Sequence, residues 1–586
     1  TYLIKTMFHR FSLNLCWFIP FAVGAKEDLS LTSPITLEIL KFQKSKDHYY
    51  ETQLSELYGG ECASFFRPRI NGTRTPVGRQ IMMGETSSIS HDWDYLKRKI
   101  MKKILRYKLK GQQEKFVWAT GGHSIAAGHG NLFKESYTMV LIKYVKPLFE
   151  SIGLQFEGRP FAMGGTNCAF EVSGCVKEVF GTDVDFLYWD YSLIVGQCLA
   201  CVEHWFQRAS LIPARPAFGI DGRSKYSPIT EETRKRGYAV FHFDKRVRSA
   251  LEKSLPLSSN KTLDDLNQMP PNVRGYQCAQ SDKQICKDRK WSTYLDPKEP
   301  CNKRSHQQSW HPGWQWHALQ GHLLTQFLIE VLDDALSAIG AYASDPETLL
   351  ETLRRQEQQF FSNFFPKNYS TKWPFPMLPT GESIDAIYKR PNYCSIARLP
   401  AQIRYAGILT GYSGNYIDSS YDRGTNQTDQ SVFSAHEEVQ LMWTESNYQT
   451  HCKKDLLEID HTDWFLGATK NSSPKMILPT DSEIAAYGNH VESLVGYIFI
   501  CRAPGPDLDK KHQLGIEGEG DSLENGDYNI TVNKKLVTGY TYIFGCALLK
   551  HQGGYIFPKR ENGRFEFKFF TDRQDSYVRF TSVMVW

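Results

Sequence analysis

Phe116-Val117-Trp118-Ala119-Thr120-Gly121-Gly122-His123-Ser124-Ile125-Ala126-Ala127-Gly128-His129-Gly130 decides the fold. Its first four residues form an apolar, strand-like run. The glycines that follow mark a turn, and Tyr137 to Ile152 reads as a helix. A serine at a strand end, just before a helix, has its hydroxyl exposed at the rim of a sheet. Its own N–H then points where it can stabilise an oxyanion. Ser124 is therefore the candidate nucleophile.

The same texture continues downstream. Asp185 to Trp189 and Ala214 to Ile220 are strand-like, and Leu193 to Ala209 between them is helix-like. Strands alternating with helices predict a parallel sheet covered on both faces, a three-layer α/β domain of flavodoxin-like type. Upstream, the basic stretch Asp92 to Lys110 reads as a helix whose charges form a solvated face. Residues 222–305 are polar, contain Pro270-Pro271 and three cysteines, and read as an insertion pinned by disulfides. Gln320 to Tyr342 carries apolar residues at the spacing that buries one helical face. Asp345 to Phe361 is polar and helix-prone, either a final helix or a linker.

From about 376 the pattern becomes β-like. Val495 to Cys501, Tyr540 to Leu548 and the ending Tyr577 to Trp586 read as strands, and Asn525-Gly526 and Glu561-Asn562-Gly563 as hairpin signals. A β-sandwich is the expected architecture. The expected organisation is thus a leader and signal over 1–25, an α/β domain over 26–345, a helical linker over 346–375 and a β-sandwich-like domain over 376–586.

Composition narrows the function. The chain has 586 residues, 41% hydrophobic and 23% charged, which suits globular domains and excludes bulk disorder. A net charge of +5 over this length does not argue for nucleic acid. Mean hydropathy is −0.43, unlike a polytopic membrane protein. His9 and Arg10, the apolar run Phe11 to Ala25 and its small-residue end read as a secretory signal. Of the 13 cysteines, Cys16 would leave with that signal, and an even set would remain for disulfides. Six glycosylation sequons, at Asn71, Asn260, Asn368, Asn426, Asn471 and Asn529, agree. The product is expected to be secreted, extracellular or lumenal, with no transmembrane anchor after signal removal. Cys198-Leu-Ala-Cys201 lacks a second CxxC or a paired histidine, so no zinc is expected there. No cofactor and no metal are expected elsewhere.

Three further segments carry candidate chemistry. Ser309-Trp310-His311-Pro312-Gly313-Trp314-Gln315-Trp316-His317 precedes the late helix, and His311 is the candidate general base for Ser124. Phe161-Ala162-Met163-Gly164-Gly165-Thr166-Asn167 offers Gly164 or Gly165 N–H groups and the Asn167 amide to an oxyanion. The strand Asp185 to Asp190 ends in a carboxylate at the carboxyl edge, where α/β sites form. Asp190 is the candidate orienting acid.

In this order the segments resemble the SGNH (GDSL-type) hydrolases. Gly122-x-Ser124-x-x-x-Gly128 is similar to the first block, with His123 in place of the usual aspartate. Gly164-Gly165-Thr166-Asn167 resembles the second block, whose glycine donates an oxyanion-hole N–H. The Asp185–Ser192 strand falls where the third block lies, and His311-Pro312 resembles the last block with its histidine. The resemblance implies a three-layer fold and ester hydrolysis through an acyl-enzyme. Two departures stand out. The third block gives Asp190-Tyr191-Ser192 without its asparagine, and Gln308 stands three residues before His311, where the family has aspartate.

The expected function is a secreted serine esterase. Its substrate would be an ester-bearing small molecule or an acylated polysaccharide, the latter suggested by the sugar-stacking faces of Trp310, Trp314 and Trp316. The alternative is a catalytically degenerate member that binds glycans or proteins.

Overall fold

The computed structural model describes residues 34–54, 89–127, 136–162, 170–191, 199–221, 227–243, 314–342 and 345–364, and shorter stretches between 393 and 585. Five strands form the central sheet: β1 (Lys115–Gly122), β2 (Gln155–Pro160), β3 (Phe186–Asp190), β4 (Ala217–Asp221) and β5 (Val240–Phe243). Their order is β2-β1-β3-β4-β5, and every pairing is parallel. The expected α/β domain is therefore present, in the flavodoxin-like strand order. β5 comes from within the stretch read as an insertion. Its neighbour α8 (Ser227–Lys235) does too, so the polar texture there conceals two elements of the domain.

Alternation along the strands builds two cores. Phe116 and Trp118 of β1 face one side with Phe186 and Tyr188 of β3. Trp118 stacks on Phe186, its partner in register, at 4.1 Å. That side is covered by α2 (Ile89–Lys110), α4 (Tyr137–Ser151) and α9 (Trp314–Ala341). The N-terminal helix α1 (Pro34–His48), continued by a π turn at Tyr49–Leu54, packs outside them. Between β1 and α4 lies the short α3 (Ser124–Ala127). Val117, Ala119, Leu187 and Trp189 face the other side. They meet α5 (Phe170–Gly174), α6 (Val176–Phe180) and α7 (Leu199–Ser210).

α9 begins six residues earlier than expected and is buried on nearly all sides from Trp316 to Leu332. It is wedged among the sheet, α1, α2 and α4, so one buried face does not describe it. α10 (Pro346–Phe364) docks on α2, where Lys102 pairs with Glu357.

The basic face of α2 is not solvated. Lys99 and Lys103 are largely buried and lie 3.3 and 3.1 Å from the Asp185 carboxylate. Lys99 also donates to the Ala214 carbonyl at 2.6 Å, and Lys103 to that of Lys115 at 2.7 Å. Asp185 accepts the Val117 N–H at 2.9 Å. Burial pulls the Lys99 ammonium below the usual lysine range, and Asp185 opposes that shift. Ammonium groups on long apolar stems here satisfy carbonyls and a carboxylate at the strand-entry edge of the sheet.

The β-rich half contributes β6 (Tyr393–Ile396), β7 (Tyr416–Asp418), β8 (Trp464–Ala468), β9 (Lys475–Ile477), β10 (Ile498–Cys501), β11 (Glu519–Gly520), β12 (Asn529–Val532) and β13 (Lys535–Leu536). β14 (Gly539–Ile543), β15 (Cys546–Lys550), β16 (Glu566–Phe570), β17 (Ser576–Phe580) and β18 (Ser582–Val585) complete it. They form antiparallel sheets ordered β11-β14-β15-β10-β18-β6, β13-β12-β16-β9 and β17-β8-β7. The run Tyr540 to Leu548, read as one strand, is two paired strands, and the terminal run divides between two sheets. Asn533 and Lys534, both at positive φ, turn β12 into β13. Both hairpin signals read from the sequence lie outside the described residues.

Phe499, Leu548 and Met584 of the first of these sheets, with Tyr497 just before β10, share the core of α5, α6 and α7. The Cys175–Cys394 disulfide joins the two parts at that seam, and Cys501–Cys546 links β10 to β15. Cys201 is also disulfide-bonded, so it is not a thiolate ligand. Among the described residues, no helix is long and apolar enough to cross a membrane, and no His/Cys/Asp/Glu group could hold a metal ion.

Candidate active site

β1 and β3 are neighbours, yet their following helices lie on opposite faces of the sheet. This is the switch point at which a sheet of this order opens a crevice beyond its carboxyl ends. Gly122 and Asp190, the last residues of the two strands, are partners in register. The His123 N–H donates to the Asp190 carbonyl at 3.3 Å, so the pairing continues one residue past β1.

The chain then turns sharply into α3. A Cβ on Gly122 would lie 2.4 Å from the Ala126 Cβ and 2.9 Å from the Asp190 carbonyl oxygen. Only glycine lets the helix fold back this closely. His123 is buried, and its Nδ1 accepts the Ile125 N–H at 3.2 Å. An acceptor bonding an N–H two residues on is the local role a short carboxylate side chain performs at a helix start. Ser124, the first residue of α3, follows directly.

Asp190 is nearly buried, and its Oδ2 accepts the Tyr137 hydroxyl at 2.8 Å. Tyr137 opens α4 and is held there by its neighbour, since Thr138 donates to Thr120 of β1 at 3.0 Å. The Tyr137 ring stacks on His317 at 5.9 Å and 15°, and meets Trp316 edge-on at 6.4 Å. Both belong to the first turn of α9. His317 is fully buried, and Trp316 is buried too, so Trp316 packs in the core and does not face a sugar.

Of the sequence-derived site residues, Ser124 and Asp190 are brought to one rim by the β1–β3 register. His311, Gly164, Gly165 and Asn167 lie outside the described residues. Sequence reasoning missed Tyr137, which carries no motif signal. It also passed over His317, though that residue stands in the same segment as His311.

Neither a family model nor a curated protein matches the chain. Two solved structures are similar: a two-domain esterase (CEX) active on acetylated mannans, and the same esterase co-crystallized with mannopentaose. Identity is 11% in both, with TM-scores of 0.33 and 0.32, covering 84% of this chain and 94% of each of those. A superposition that loose transfers neither a site nor a substrate.

Proposed function

We propose that this chain is a secreted serine ester hydrolase. The observation that supports the reading is the register of Gly122 with Asp190, by which the start of the helix that Ser124 opens and the acidic end of β3 meet the switch point of one parallel sheet. Connectivity adds support. His311 stands three residues before α9 in the sequence, and the first turn of α9 packs on Tyr137.

In this mechanism the Ser124 hydroxyl attacks the ester carbonyl while His311 takes its proton. The oxyanion is held by the Ser124 N–H, an N–H of Gly164 or Gly165, and the Asn167 amide. Collapse expels the alcohol, which receives the proton back from His311, and leaves an acyl-Ser124. Water, deprotonated by His311, then releases the acid. Asp190 is the orienting acid. The substrate we favour is an O-acylated carbohydrate, with the C-terminal region as an appended β-sandwich-like domain. Export, glycosylation and the domain limits given above belong to the same proposal.

The test is Ser124→Ala. Turnover of an aryl acetate should vanish, and a fluorophosphonate should label the parent protein stoichiometrically at Ser124 but leave the variant unlabelled. Wild-type turnover in the variant would overturn the assignment. The competing reading, a degenerate glycan- or protein-binding member, draws on the missing third-block asparagine and on Gln308 three residues before His311. Absence of labelling in the parent protein would favour it.

A further inference from the structure

Tyr137 spends its hydroxyl on the one carboxylate that ends β3 at the switch point, at 2.8 Å. Both groups are nearly or fully buried, so the bond is shielded from competition by water. The ring that carries this hydroxyl is fixed on three sides. His317 lies parallel to it at 5.9 Å, Trp316 meets it edge-on at 6.4 Å, and Tyr188 of β3 packs edge-on at 6.0 Å. Trp316 and His317 stand in turn at 5.1 Å and 82°. The backbone beneath is pinned by the Thr138–Thr120 bond and by the approach of Gly321 of α9, where a Cβ would lie 2.8 Å from the Tyr137 carbonyl oxygen.

We propose that Tyr137 is a positioning residue that fixes the Asp190 carboxylate, the orienting acid, at the rim where β3 ends, with the His317 ring as its clamp. This rests on the ester hydrolase reading and deepens it. The arrangement joins three sequence-distant pieces: the carboxylate, the start of the helix after the Ser124 turn, and the start of the helix that follows His311. A shift of the α9 entry would move Tyr137, and with it Asp190. Neither Tyr137 nor His317 touches substrate in this scheme. Both act through Asp190.

The experiment compares the full-length protein with Tyr137→Phe, Asp190→Ala and the double variant, reading kcat and KM on an aryl acetate and the rate of fluorophosphonate labelling. Tyr137→Phe should lower kcat and the labelling rate on the order of 10- to 100-fold, the cost of a slightly misplaced group, with KM unchanged. In the Asp190→Ala background the same substitution should have no further effect, because its target is gone. Equal losses in both backgrounds, or a change confined to KM, would overturn the inference while leaving the esterase reading intact. A parent protein with no turnover and no labelling would overturn both. Should Tyr137→Phe not fold, His317→Ala and His317→Phe decide instead. Loss of kcat in the first and recovery of most of it in the second, which keeps a ring on Tyr137, supports the clamp. Equal kcat in the two removes it.

Discussion

Cys175, between two short helices beneath the parallel sheet, is disulfide-bonded to Cys394 of β6, 219 residues later. The bond ties the α/β layers to the edge strand of the six-stranded antiparallel sheet, whose inner side chains enter the same core. Closing so long a loop restricts the unfolded chain, an effect typically worth about 2–4 kcal/mol. Replacing both cysteines with serine should lower the thermal midpoint by several degrees. An unchanged midpoint in calorimetry would show that the shared apolar core, and not the covalent link, holds the seam.

Gly122 is a close backbone approach in the candidate site. Gly122→Ala would push the new methyl into the Ala126 Cβ and the Asp190 carbonyl oxygen, which are backbone or rigidly placed atoms. Overpacking of this kind typically costs about 1–3 kcal/mol. The register of Gly122 with Asp190 would also shift. The variant should unfold at lower urea and label more slowly with a fluorophosphonate than its residual folded fraction accounts for. Labelling that simply tracks the folded fraction would separate stability from site geometry.

Asp185 should be far more costly to remove than an exposed carboxylate. It carries Lys99, Lys103 and the Val117 N–H at the strand-entry edge. Asp185→Ala would leave two largely buried ammonium groups without this partner, a change of about 3–5 kcal/mol by analogy with other broken buried pairs. An exposed pair such as Lys146–Glu150 should contribute less than about 1 kcal/mol. Urea titrations of Asp185→Ala and Glu150→Ala make the comparison. Similar losses would mean that the α2 lysines reach water after all.

Acid should destabilise the fold partly through His322. Burial, with Lys143 adding to it, pushes this imidazole down to about 3, and the Tyr49 hydroxyl lies 2.8 Å from its Nδ1. The unfolded imidazole titrates near 6.5. Between those values the unfolded chain binds the extra proton, so this contribution is complete above pH 6.5 and is lost as the pH falls toward 3. The slope reaches about 1.4 kcal/mol per pH unit. His242, lowered to about 4 by burial and then by Arg234, acts in the same direction. His322→Asn should flatten the decline of unfolding free energy between pH 6.5 and 4, measured by urea titration. An unaltered slope would place the acid sensitivity elsewhere.

Much of the first half was legible in the chain. The apolar run before Gly121, the helical pattern from Tyr137 and the strand ending at Asp190 stand within a few residues of the observed elements. Local periodicity reports which side of an element is apolar, and glycine reports where the backbone must turn. Hence Ser124 at a strand–helix junction could be read directly. The charges of α2 could not, because a lysine has the same local signal whether water or a buried carboxylate faces it. Likewise Val240–Phe243 is too short, and its surroundings too polar, to announce a central-sheet strand.

The sequence by itself determined the alternation of strands and helices, the glycine turn before Ser124, and the acidic end of β3. Only the tertiary structure decided that β1 pairs with β3, so that Gly122 and Asp190, 68 positions apart, become neighbours. It alone decided that Tyr137 reaches that carboxylate with His317 behind it. The reason is that strand order and the choice of a buried partner are set by contacts between distant segments. No local pattern of residues encodes which distant surface will arrive to cover it.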